Sequence, residues 1–170
     1  MDFQEIEVFN NSVHSLIFIH PDNPLRTDKS TCAINEYDQP QYCRCQQGKR
    51  ISKFRSEHNN KKEDRKWDLG CDDFQDSDVS IIAKNLPIQQ TYWSNEYDGN
   101  SDWSGISTHS FLVGMKSEHD NKKEDRRYDY FFQNSPNLEL TDCDQHLKKI
   151  NDFDGQMNVV LEPNEVISGK

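Results

Sequence analysis

Residues 56–65 read Ser56-Glu57-His58-Asn59-Asn60-Lys61-Lys62-Glu63-Asp64-Arg65. Residues 117–126 read Ser117-Glu118-His119-Asp120-Asn121-Lys122-Lys123-Glu124-Asp125-Arg126. Nine of the ten positions agree, 61 residues apart, so one structural unit is used twice. After the polar centre, residues alternate. Arg65, Trp67, Leu69 and Cys71 fall on one face of an extended chain, and Lys66, Asp68 and Gly70 on the other. The second copy sets Arg126, Tyr128, Tyr130 and Phe132 against Arg127, Asp129 and Phe131. Before the centre, Phe54, Ser56 and His58 share a face. A helix needs apolar residues three and four apart, and that spacing is missing here. Each copy therefore reads as a β-hairpin with a polar tip at Asn-Lys-Lys.

Working outward, Asn35-Glu36-Tyr37-Asp38 recurs as Asn95-Glu96-Tyr97-Asp98, and more loosely as Asn151-Asp152-Phe153-Asp154. The chain divides into an N-terminal extension (1–34), repeat 1 (35–78), a connector (79–94), repeat 2 (95–140) and the start of an incomplete repeat 3 (141–170). Val166 to Lys170 align with Arg50 to Phe54 and Phe111 to Met115. A strand there has no return partner, and folded proteins avoid such open edges. The expectation is that the chain continues; a strand from elsewhere covering the edge is the alternative. Further strand candidates are Val13 with Leu16-Ile17-Phe18-Ile19, Ser80-Ile81-Ile82-Ala83, and Met157 to Leu161.

Cys45 and Cys71 of repeat 1 correspond to Ile106 and Phe132 of repeat 2. Both cysteines are lost together, and both become apolar. A buried disulfide missing from one copy has that appearance, and so do two free buried thiols. Cys32, Cys43 and Cys143 remain without an assigned partner, and no paired zinc-ligand spacing is present.

Composition agrees with strands and turns. Asn and Asp make up 34 of 170 residues and favour turns, while Ala, the best helix former, occurs twice. Leu, Ile, Val and Phe make up 36 of 170, which predicts a small core that needs help from something else. The net charge of −10 argues against nucleic acid and anionic membranes as partners. No run approaches the roughly 20 apolar residues of a membrane span. Asp2, Glu5 and Glu7 stand where a secretory leader would be basic. The expected fold is all-β: pseudo-repeated β-hairpin units packed into one small domain, with few or no helices.

Cys45-Gln46-Gln47-Gly48-Lys49-Arg50, then Arg55-Ser56, His58, Asn60 to Arg65, Trp67 and Cys71, resembles the dermatopontin family. So does the upstream Asn35-x-Tyr37-Asp38-Gln39-Pro40. The resemblance implies a non-enzymatic extracellular protein that binds glycans, proteoglycans or matrix proteins, with agglutinins among its relatives. It also implies pairing of Cys45 with Cys71. Its Asp-Arg-x-Trp carries over to Asp64-Arg65-x-Trp67, and in repeat 2 becomes Asp125-Arg126-x-Tyr128.

Glu63, Asp64, Arg65 and Trp67, with Glu124, Asp125, Arg126 and Tyr128, are the candidate ligand-binding residues. Carboxylates and arginine can hold sugar hydroxyls over an aromatic face. The same signature arises if these residues serve packing. His58 and His119 join them as pH-sensitive contacts or as hydrogen-bonding turn residues. Lys61-Lys62 and Lys122-Lys123 read as solvated charges. Asp98-Gly99-Asn100-Ser101-Asp102 lacks the Gly and Glu of a helix–loop–helix calcium loop; Asp72, Asp73, Asp76 and Asp78 form another acidic loop, and calcium at either place is the lesser reading. Asn10-Asn11-Ser12 is a glycosylation sequon. No catalytic signature, metal site or cofactor is expected. The second functional reading is an intracellular structural subunit, contacting neighbouring subunits or copies of itself, and the acidic start favours it.

Overall fold

Polar tips joining two alternating strands should close antiparallel ladders, and they do. The computed structural model describes residues 7–11, 31–91, 93, 95–99, 109–135, 140–141 and 154–168. In chain order the first elements are β1 (Glu7–Asn11), β2 (Thr31–Cys32), β3 (Gln41–Arg44), β4 (Lys49–Asn59) and β5 (Asp64–Asp73). Then come α1 (Ser77–Asn85), β6 (Ile88–Gln90), β7 (Ser110–Asp120) and β8 (Asp125–Asn134). The last are β9 (Leu140–Thr141), β10 (Met157–Val160) and β11 (Glu165–Ser168).

The hairpins β4–β5 and β7–β8 share their register details. Their last pairs are Asn59 with Asp64 and Asp120 with Asp125. Each ladder slips once, between Ile51 and Lys53 and between Leu112 and Gly114, again 61 residues apart. At the tips, the side chains of Asn59 and Asp120 accept from the backbone N–H groups two and three residues on. Glu63 and Glu124 then turn the chain with φ of 48° and 52°.

The short strands after the turn at 35–38 and after Asp154 each join another unit's hairpin. β3 pairs with β7, and β10 pairs with β4. The sheets run β10-β4-β5, β2-β3-β7-β8-β6 and β11-β1-β9. The edge of β11 is met by β1, with Val8 opposite Ile167, so a strand from the N-terminal region lies where an open edge was expected. That strand is Glu7–Asn11; the expected Val13 and Leu16 to Ile19 lie outside the described residues. Met157–Val160 is a strand as expected.

One expectation fails. Residues 80–83 are not a strand but lie within α1. Asp76 caps that helix by accepting from the N–H groups of Asp78 and Val79, which satisfies two otherwise unpaired donors. Val79, Ile82 and Ala83 then fall three and four apart on its buried face. Gln133 Nε2 closes the far end by donating to the carbonyls of Ala83 and Leu86.

The core lies between the hairpins. Trp67 packs edge-to-face on Tyr128 at 5.7 Å and on Phe54 at 5.5 Å. Disulfides join Cys45 to Cys71 and Cys32 to Cys43, and Cys32 Sγ lies 3.6 Å from Cys71 Sγ, so the bridges are in contact. They tie β2, β3 and the end of β5 together. Cys143 lies outside the described residues.

Candidate functional site

The Asn-x-x-Asp turns and the hairpins are locked together by the same bonds twice. Asn35 Nδ2 donates to the Arg65 carbonyl, and Asn35 Oδ1 accepts from the Trp67 N–H. Asn95 does the same with the Arg126 carbonyl and the Tyr128 N–H. Each turn closes at an aspartate in the left-handed region, Asp38 (φ 64°) and Asp98 (φ 61°), and Asp154 repeats the conformation (φ 57°). The Asp38 N–H donates to Asp64 Oδ2 at 2.7 Å, and the Asp98 N–H donates to Asp125 Oδ2. Asn35, Asn95 and Asp38 were not among the expected site residues, although their repeated tetrapeptide was the available signal.

Asp64 is the hub. Its side chain is 1% exposed and that of Arg126 is 3% exposed. Arg126 Nε and Nη2 donate to Asp64 Oδ1 and Oδ2 at 2.5 and 2.8 Å, a two-pronged pairing across the two hairpins. Arg126 also donates to the Gln39 carbonyl and to Ser117 Oγ. Arg65 donates correspondingly to Ser56 Oγ and to the Gly155 carbonyl. Each arginine thus reaches the turn of another unit. Burial alone would push the Asp64 carboxyl up. The Arg126 hydrogen bonds and charge, with the N–H groups of Asp38 and Arg65, outweigh it and hold the carboxyl below its ordinary value.

His119, its side chain 2% exposed, sits against this hub, with Nδ1 3.3 Å from Asp64 Oδ1 and Nε2 3.8 Å from Asp38 Oδ1. His58 lies outside it, with Nε2 3.2 Å from Asp154 Oδ1, and burial holds its imidazole below the usual value despite that carboxylate. Trp67 and Tyr128 are each 1% exposed, and burial pushes the Tyr128 hydroxyl up. An indole platform for sugar needs an open ring face, and the Trp67 ring is instead covered by Phe54 and Tyr128.

Of the sequence candidates, Asp64, Arg65, Trp67, Arg126, Tyr128 and His119 are thus gathered inside, and Asp125 is half-buried. Glu63 and Glu124 are exposed at neighbouring tips. The Glu63 carboxyl is held above its ordinary value, first by a hydrogen bond with Glu124 and then by that group's like charge. Lys62 reaches Asp38 at 3.3 Å, and Lys123 lies 4.8 Å over the Tyr97 ring. Asp73 pairs with Lys49. The sulfurs of Cys32, Cys43 and Cys71 lie within 4.8 Å of one another, but each is already in a disulfide. Ser12 of the sequon and residues 100–102 of the acidic loop lie outside the described residues.

The outer face of the first hairpin is partly accessible. Beside β4 and β5 a cleft of about 350 Å³ is lined by Ile34, Arg55, Glu57, Lys66, Asp68 and Gln156, among others. On the second hairpin an indole ring occupies the surface: Arg127 lies 4.0 Å and Lys116 4.4 Å from the Trp93 ring centre. Glu118 binds both cations, at 3.0 and 3.1 Å. Among the described residues, no helix is long and apolar enough to cross a membrane.

Comparison with known proteins fits this arrangement. Millepora cytotoxin-1 of Millepora dichotoma is 36% identical over 95 residues, 56% of this chain and 39% of that protein. A hemagglutinin/amebocyte aggregation factor of Limulus polyphemus is 32% identical over 97 residues, 57% of this chain and 54% of its own. The chain therefore spans about half or less of the length of these two relatives. Dermatopontin of Biomphalaria glabrata is 27% identical over 140 residues, 80% of this chain and 85% of that protein. No solved structure matches. The family model for dermatopontin matches residues 35–170, a span that takes in both hairpins, all three left-handed aspartates and the Asp64–Arg126 pair, and the chain belongs to the dermatopontin family.

Proposed function

We propose that this protein is a non-enzymatic, adhesion-type binding protein of the extracellular space that recognises glycans, proteoglycans or matrix proteins. The observation that carries this reading is the family match over residues 35–170. A relative named for hemagglutination and amebocyte aggregation supports it. The internal chemistry is consistent with it. The motif's Asp64, Arg65, Arg126, Asn35 and Asn95 are engaged in bonds within the chain, as a frame requires. Two disulfides stiffen that frame and suit an oxidising compartment. Ligand contact then falls to the exposed Glu63 and Glu124 at the tips, to the partly buried His58 at the flank, and to the cleft beside β4 and β5. Asp64, Arg65, Trp67, Asp125, Arg126, Tyr128 and His119 hold those surfaces in place.

The test is binding of the full chain to a glycan panel and to immobilised collagens, proteoglycans and fibronectin-type matrix proteins. Saturable binding to one class, retained after alkylation of free thiols, is the expected result. A silent panel, together with recovery of the protein from a reducing intracellular assembly with its cysteines as thiols, would favour the structural-subunit reading instead.

A further inference from the structure

We propose that the cleft beside β4 and β5 is a receptor for an aromatic side chain, an indole or phenol, carried by a partner protein. This rests on the binding-protein reading above and names the partner's chemistry. The protein itself supplies the occupant at the matching place on its second hairpin. There, Trp93 is stacked by Arg127 and Lys116, and both cations are steadied by Glu118. The residues 61 positions earlier are Lys66, Arg55 and Glu57, and all three line the cleft. The same two cations and carboxylate thus stand on both hairpins, with Lys66 here paired to Glu36.

What differs is the ring. Trp93 stands two residues before Asn95, whose side chain bonds the Arg126 carbonyl and the Tyr128 N–H. Asn35 makes the corresponding bonds in the first unit, and the residue two before it is Ala33. A methyl group stands where the other unit has an indole, and the cleft of about 350 Å³ lies over the frame left uncovered. That volume lies in the range of small-ligand sites, about 300–1,000 Å³. Ile34, 60% exposed, adds an apolar rim.

The charges choose among ligands. Lys66 is already paired with Glu36 at 2.6 Å and Asp68 with Lys53 at 2.7 Å, and Arg55 shares the lining with Glu57, so the cleft has no surplus of positive charge for a sulfated glycan. The exposed Arg55 in the lining favours a π face, which attracts a cation through its quadrupole. Lys66 already stands 4.7 Å over the Tyr37 ring, so an incoming ring would extend a stack that has begun.

The experiment titrates the full-length, isotope-labelled protein with N-acetyl-tryptophanamide, then with a short Trp-bearing peptide and its Trp→Ala counterpart, while following backbone amide resonances. Saturable shifts confined to the surroundings of Ile34, Lys66 and Gln156 are expected. Ala33→Trp, which copies the second unit's own solution at an exposed position, should abolish them while leaving the rest of the spectrum in place. Arg55→Met should weaken binding about two- to fivefold, which keeps the test decisive if the tryptophan variant folds poorly. Shifts scattered elsewhere, or unchanged by both variants, would overturn the proposal. Methyl glycosides moving the same amides while tryptophanamide does not would make the cleft a sugar site, and leave the binding-protein reading standing. Tryptophanamide seated in the cleft with a silent glycan and matrix panel would remove that reading and retain the cleft.

Discussion

Replacing Asp64 by Asn tests whether one buried carboxylate holds the two hairpins together. The side chain keeps its shape and loses its charge. Arg126 Nε and Nη2 both lose an anionic partner, and they sit in a site where the two side chains are 3% and 1% exposed. An amide offers one oxygen, so either Arg126 Nε, or Arg126 Nη2 together with the Asp38 N–H, faces an –NH2 group instead of an acceptor. Removing one partner of a buried ion pair costs about 3–5 kcal/mol. The remaining Arg126 bonds to Gln39 and Ser117 place the expected loss at the lower end, about 3 kcal/mol. For a chain of this size that lowers Tm by about 6–12 °C.

Asp125→Asn is the internal control. It occupies the corresponding position, also accepts from a turn N–H, is half-buried, and is bonded by the Arg126 N–H instead of a guanidinium. Its loss should be about 1 kcal/mol. Urea unfolding followed by Trp fluorescence measures both. The Asp64 carboxyl titrates below its ordinary value, so its contribution is present at neutral pH. That contribution fades as pH falls from the unfolded value, about 3.9, through the lower folded one. Asp64→Asn should therefore flatten the acid limb of the stability curve. Equal losses for the two variants, or an unchanged acid limb, would refute the hub.

Three further outcomes follow from other contacts. Replacing Cys45 by Ile and Cys71 by Phe copies the residues of the second unit and opens a 26-residue separation; chemical denaturation should show a loss of about 3–4 kcal/mol by the loop-entropy estimate, lessened by the new apolar contacts. Glu63→Gln removes the like-charge contact with Glu124. The raised carboxyl favours folding below its unfolded value and loses that advantage as pH rises, so the variant should gain Tm over the parent at pH 7 and not at pH 4, by differential scanning calorimetry. Gly114→Ala would set a methyl group against the Cys43 carbonyl and the Phe131 ring where β3 meets β7, with a loss of about 1–3 kcal/mol and faster amide exchange in β3.

The tips were legible because they are local. An Asn or Asp whose side chain caps the next N–H groups, followed by alternating residues, sets a hairpin by contacts within a dozen positions. Cys45–Cys71 was legible because both members vary together against Ile106 and Phe132. The helix at 77–85 was missed because Ser80 to Ala83 is a short apolar run, and only the Asp76 cap together with the spacing of Val79, Ile82 and Ala83 separates helix from strand there. Pairing of Cys32 with Cys43 was not assigned, since it depends on β2 lying beside β3.

The sequence alone determined the alternating strands, the tips, the charge balance and the family. It could not determine what the shared motif faces. Asp64 and Asp125 have the same neighbours in sequence, yet one is sealed against Arg126 and the other is half-buried, with no guanidinium partner among the described residues. Arg55 and Lys116 likewise stand on matching strands, one at an open cleft and the other over Trp93. Tertiary structure decided these differences, because Arg65 and Arg126 reach the turns of other units and β3 and β10 pair with other units' hairpins. A residue's surroundings are then set by partners some sixty to just over a hundred positions away, and local pattern carries no information about them.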